Sequence, residues 1–129
     1  MLDHIGIQVS DYPAAKAFYT AALKPLGSAL IMEIPTEHTG GAGVAGFGKD
    51  GQPAFWISDA KKRAAGSNDA HVAFAAASTA EVDAFYAAAI EAGAECNGKP
   101  GPRPQYHPGY YGAFVTDADG NNVEAVFHG

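Results

Sequence analysis

His4-Ile5-Gly6-Ile7 with Phe18-Tyr19, and His71-Val72-Ala73-Phe74 with Phe85-Tyr86, decide the fold of this chain. In both stretches the aromatic pair begins 14 residues after the histidine. A single offset of 67 relates His4 to His71, Phe18 to Phe85, Tyr19 to Tyr86 and Leu23 to Ile90. One offset held over about 20 residues signals two copies of one supersecondary unit.

Each copy opens as a strand. Ile5, Ile7 and Val9 share one face and His4, Gly6 and Gln8 the other; Val72 and Phe74 oppose His71, Ala73 and Ala75 in the same way. A helix follows. Ala15, Phe18, Tyr19, Ala22, Leu23 and Leu26 form one buried stripe in the first copy, and Val82, Phe85, Tyr86, Ala89 and Ile90 in the second. Asp11 and Pro13 suit the start of the first helix and Gly27 its end. Ser78-Thr79-Ala80-Glu81 has the form of a capping box, and Gly93 ends the second helix. Strands are expected at 28–34, 43–48 and 53–58, then at 94–98, 111–117 and 122–127, with Asp50-Gly51 and Asp119-Gly120 as matching hairpin turns. The class is therefore α+β: two βαβββ modules whose curved sheets pair around an inner cavity, each with one helix outside. We read residues 1–129 as one domain, with module 1 at 1–60 and module 2 at 68–129.

Composition narrows the function. The 129 residues are 47 % hydrophobic and 17 % charged, enough for a buried core and too little charge for a disordered tail. Eight basic and fourteen acidic residues leave a net charge of −6, which argues against nucleic acid and anionic membrane surfaces as partners. No signal-peptide core stands in residues 1–20 and no apolar run approaches the ~18 residues of a membrane span. The lone Cys96 excludes an internal disulfide and suits a reducing, cytoplasmic setting.

Three residues carry the candidate chemistry. His4 and His71 hold equivalent places on the opening strands, both on the non-aliphatic face. In the last strand Val123, Ala125 and Phe127 can lie under a helix, which turns Glu124 inward. A carboxylate buried alone is costly and calls for a metal, a cation or water. Two imidazoles and a carboxylate suit a divalent first-row metal (Fe, Mn, Ni or Zn) with open positions. The competing reading is a polar pocket without metal.

These segments, closed by Asp117-Ala118-Asp119-Gly120-Asn121-Asn122-Val123-Glu124, resemble the vicinal oxygen chelate superfamily, which includes glyoxalase I, bleomycin-resistance proteins and extradiol dioxygenases. The resemblance covers essentially the whole chain, with Ala118 where the family usually has Pro. It implies paired βαβββ modules, a metal on His4, His71 and Glu124, and a homodimer, with the site formed in cis or in trans. Glyoxalase I has a fourth ligand at the end of its first module. Aligning the two hairpin turns puts Phe55 there, and a one-residue slip puts Trp56; neither is a metal ligand. The resemblance thus implies a metal-dependent lyase, isomerase or dioxygenase acting on a small substrate through vicinal oxygens, or a metal-free drug- or ligand-binding protein.

Around this set, the loop at 102–112 joins Arg103, His107 and Tyr111 among prolines. Arg103 suits a substrate carboxylate or phosphate, and His107 or Tyr111 a proton transfer or an oxyanion; the alternative is that Tyr110 or Tyr111 starts a strand and simply packs. The glycine-rich stretch 36–43 reads as a lid or linker with Glu37 and His38 solvated. Phe55 and Trp56 belong to the core or to an aromatic wall. Lys61-Lys62-Arg63 reads as a solvated basic run, and Cys96 as structural.

Overall fold

The computed structural model describes residues 1–60 and 65–129 and contains the same unit twice. In the first, β1 (Ile5–Val9) leads into α1 (Tyr12–Leu23), followed by β2 (Ala29–Ile34), β3 (Val44–Lys49) and β4 (Gln52–Asp59). In the second, β5 (His71–Ala75) and α2 (Thr79–Glu91) precede β6 (Glu95–Pro102), β7 (Tyr110–Thr116) and β8 (Asn122–His128). Each unit forms one four-stranded sheet, ordered β1-β4-β3-β2 and β5-β8-β7-β6. The first and last strands of a unit are parallel neighbours and the other pairs antiparallel. Lys61-Lys62-Arg63 lies outside the described residues.

Local chemistry sets the helix ends. The Asp11 carboxylate accepts the Ala14 N–H at 3.1 Å, Pro13 sits in the first turn, and Gly27 leaves the following 3-10 turn with φ of 81°. Ser78 Oγ accepts the Glu81 N–H at 3.2 Å. The helices bury Tyr19, Ala22 and Leu23 from α1, and Val82, Phe85 and Ala89 from α2. Residues 36–38, read from sequence within a lid or linker, form an exposed 3-10 turn.

One core joins the two units. Phe55 meets Phe74 edge to face, with ring centroids 5.1 Å apart. The Ser10 N–H donates to Asp119 Oδ1 at 3.0 Å, and Asn68 Nδ2 to the Gln8 carbonyl at 2.7 Å. The buried Tyr19 hydroxyl on α1 donates to Asp117 in the turn before β8. Among the described residues no helix is long and apolar enough to cross a membrane.

The largest departure from the sequence reading is β6. It continues through Gly98, Pro100 and Gly101 to Pro102, with register shifts on both sides of Gly98. Those residues have poor strand propensity, and pairing with β7 across irregular steps overrides it. β7 in turn starts at Tyr110, one residue earlier than expected.

Candidate functional site

Strand parity builds the site around Glu124. On β8, Val123 and Ala125 enter the core beneath α2, so Glu124 points to the helix-free face of the sheet. It is nevertheless only 1 % exposed, because neighbouring side chains cover it. The parallel pairing of β5 with β8 sets Ala73 opposite Glu124 and His71 two residues away on the same face. His71 Nε2 lies 2.8 Å from Glu124 Oε1. From β7, the Tyr110 hydroxyl donates to Glu124 Oε2. Burial first, then the Glu124 carboxylate, push the Tyr110 hydroxyl up to about 12, so it remains a donor at neutral pH. A Cβ at Gly112 would stand 3.1 Å from the Tyr110 ring and 3.3 Å from Glu124 Oε2, so glycine there leaves room for the bond.

Phe114 lies across the strand pair from Glu124, its ring centroid 6.3 Å from that of His71. Arg103 stacks 5.5 Å above Phe114 and donates to the carbonyls of Gly101 at 2.9 Å and Lys99 at 2.7 Å. Its guanidinium thus ties the irregular end of β6 to the same face. At the far end, the His107 and His128 rings lie edge to edge with centroids 5.1 Å apart and planes 21° apart, and Tyr110 meets each edge-on at 5.3 Å.

Several residues singled out from the sequence lie elsewhere. Tyr111 points to the opposite face, where its hydroxyl donates to Asp83 on α2 at 2.7 Å. Strand side chains alternate, so the two neighbouring tyrosines face opposite ways. Ala113 and Val115 continue the apolar stripe through Tyr111, and that pattern would have assigned Tyr110 to the face of Glu124. His128 was missed too, although it follows Glu124 at the same parity.

His4 precedes β1, with its side chain 59 % exposed and Nδ1 2.6 Å from Asp3 Oδ1. His71 and Glu124 therefore offer two donors, and among the described residues no three His, Cys, Asp or Glu side chains form a group that could hold a metal. The register also answers the fourth position. Gly6 pairs with Trp56 as Ala73 pairs with Glu124, so Trp56 is the counterpart of Glu124 in the first sheet. Trp56 is half-buried on the helix-free face, whereas Phe55 is in the core at 3 % exposure. Cys96 is exposed, and a hydrogen bond with the Tyr86 hydroxyl lowers its thiol pKa. Glu37 and His38 are exposed.

Comparison with known proteins agrees with this architecture. The family model described as Glyoxalase/Bleomycin resistance protein/Dioxygenase superfamily matches residues 1–125. A glyoxalase/bleomycin resistance protein from Albidiferax ferrireducens T118 is 27 % identical with a TM-score of 0.73, covering 96 % of each chain. A glyoxalase/bleomycin resistance protein/dioxygenase family enzyme from Burkholderia phytofirmans PsJN is 20 % identical with a TM-score of 0.69, covering 98 % of this chain and 97 % of that one. The E144Q mutant of glyoxalase I from Zea mays shares the fold at 19 % identity and a TM-score of 0.72; this chain is 97 % covered and spans 46 % of the maize protein. No curated protein matches the chain. With a family model matched over nearly its full length and the paired βαβββ fold in place, the chain belongs to the Glyoxalase/Bleomycin resistance protein/Dioxygenase superfamily.

Proposed function

We propose that the chain is a small divalent-metal-dependent enzyme, of lyase, isomerase or dioxygenase type, acting on a small substrate that chelates through vicinal oxygens. The observation that carries this reading is Glu124. Its carboxylate is 1 % exposed, faces an imidazole and a phenol, and among the described residues pairs with no Lys or Arg. Such a carboxylate is costly without a cation, and imidazole with carboxylate suits a first-row metal such as Fe, Mn, Ni or Zn. His71 and Glu124 fit as two members of a donor set. We assign the third to His4 of a second copy, in a homodimer that the reducing cytosol would house. When bound, the metal would supply Lewis acidity to an enolate or similar oxyanion.

The chain's own groups have separate tasks. Tyr110 keeps its proton and fixes the second oxygen of Glu124. Trp56 provides no carboxylate base at the fourth position, so the proton transfer of glyoxalase I would need another group, for which His107 is the candidate. Arg103 keeps a positive charge on the same face for an anionic substrate group. Tyr111, bonded to Asp83 on the other face, has no part in this scheme.

A second reading is a metal-free ligand-binding protein. It is favoured by the two-donor set, His71 and Glu124, that the described residues bring together, and by the apolar helix-free face of the first sheet, where Met32 is 45 % exposed beside Gly46, the strand partner of Trp56. Elemental mass spectrometry after chelator-free dialysis separates the two. The metal reading expects about one equivalent per chain, lost in His4→Ala, His71→Ala and Glu124→Ala variants that stay folded. No metal after reconstitution, or full content in both His71→Ala and Glu124→Ala, would replace it with the binding reading.

A further inference from the structure

We infer that His107 and His128 form a pH-sensitive latch that fastens the 103–109 loop to the end of β8. The two residues are 21 positions apart, and His107 Nε2 lies 2.9 Å from His128 Nδ1. His107 Nδ1 lies 2.7 Å from the Pro108 carbonyl, which can only accept, so that nitrogen carries a hydrogen. In the neutral pair His128 must then donate to His107. One added proton can sit on the outer Nε2 of His128, which leaves that bond in place. After a second proton both facing nitrogens carry hydrogens, and the bond becomes a contact between two cations.

The groups packed around the pair do not offset a second charge. Tyr110 of β7 presents its ring edge to both imidazoles at 5.3 Å and gives its hydroxyl to Glu124 of β8. Tyr106 of the loop packs on Tyr110 at 5.0 Å and is 58 % exposed. Arg103, at the start of the loop, is cationic and stacks on Phe114. Among the described residues no carboxylate bonds either imidazole. The Gly129 N–H to Gly109 carbonyl bond at 2.8 Å keeps the strand ends paired, so opening is confined to the loop. Parted imidazoles would remove two edge contacts from Tyr110 and loosen its hold on Glu124. The latch thus gives the Glu124 face a sensitivity to acid that does not depend on a metal being bound.

Native-state hydrogen exchange of the full chain tests this, with each amide rate normalised to its chemical exchange rate at that pH. The amides to follow are Tyr106, which donates to the Arg103 carbonyl at 3.0 Å, and Tyr110, which donates to the His107 carbonyl at 3.2 Å. Between about pH 8 and about pH 5, the range in which imidazole titrates, their protection should fall about 5-fold or more while core amides hold. In His128→Gln, which can still hydrogen-bond but cannot take a charge, the fall should vanish. Unchanged protection in the wild type, or an equal fall in the variant, overturns the latch. If His128→Gln does not fold, imidazole nitrogen NMR of the wild type decides. A protonated His107 Nδ1 with two well-separated titration steps supports the latch, and the other tautomer or two independent steps overturns it.

Discussion

Replacing Tyr19 with Phe removes one oxygen and little else. The ring of Tyr19 is 1 % exposed and packs against Phe18 and Phe55, each at 4.9 Å between centroids, and phenylalanine keeps those contacts. What is lost is the hydroxyl bond to Asp117 Oδ2, which ties α1 to the turn that launches β8 and so Glu124. A hydrogen bond to a charged acceptor contributes about 1.5–3 kcal/mol. Asp117 Oδ2 retains Asn121 Nδ2 at 2.9 Å, so the oxygen is not orphaned and the loss belongs at the lower end, about 1.5–2 kcal/mol. For a domain of this size that is roughly 5–8 °C in Tm. The effect has a pH signature. Burial first, then the charge of Asp117, hold the Tyr19 hydroxyl well above its ordinary value. A group with a raised folded pKa contributes its full stability below the unfolded pKa and loses it as pH rises towards the folded value. The wild type therefore loses the Tyr19 contribution above about pH 10, by about 1.4 kcal/mol per pH unit, while Tyr19→Phe has nothing there to lose. Urea unfolding of both proteins at about pH 7 and about pH 11 should show a gap that narrows by about 1.4 kcal/mol. A gap below about 0.5 kcal/mol at neutral pH, or one that widens in alkali, would refute the reasoning.

The two adjacent tyrosines separate site from scaffold. Tyr110→Phe should weaken metal or ligand retention by about 10-fold or more in equilibrium titration, as loss of an outer partner to a site carboxylate does, whereas Tyr111→Phe should leave retention intact and lower stability by no more than about 1 kcal/mol. Equal retention in the two variants would remove Tyr110 from the site. Gly46→Ala brings a Cβ to 2.9 Å from the Trp56 ring and should destabilise by about 1–3 kcal/mol, with substantial recovery in Gly46→Ala/Trp56→Leu. A neutral Gly46→Ala in thermal unfolding would show that Trp56 is free to move.

Much of the architecture was legible because it rests on short-range periodicity. The 67-residue echo carries both strand alternation and helix stripe, and the caps at Asp11 and Ser78 act through residues three positions away. Strand parity likewise turned Glu124 away from the apolar face. Legibility failed where pairing partners decide the outcome. β6 looks like a loop because Gly98, Pro100 and Gly101 are poor strand formers, and β7 recruits it all the same. Aligning hairpin turns left Phe55 and Trp56 both open as the counterpart of Glu124. Only the register of β1 against β4 selects Trp56, because β3 shifts by one residue between Phe47 and Gly48.

By itself, then, the sequence determined the two-module α+β fold, the superfamily and the inward turn of Glu124. The fold and the turn of Glu124 follow from the 67-residue repeat and from strand parity, the superfamily from the resemblance of its motifs. Tertiary structure decided what stands beside Glu124: His71 at 2.8 Å from a parallel strand, the Tyr110 hydroxyl on its second oxygen, and, beyond Tyr110, His128 closing on His107. It also set His4 apart beside Asp3. The reason is physical. A side chain's face is set by its own strand, but its neighbours are set by register between strands, and a one-residue shift in register changes every partner across the sheet.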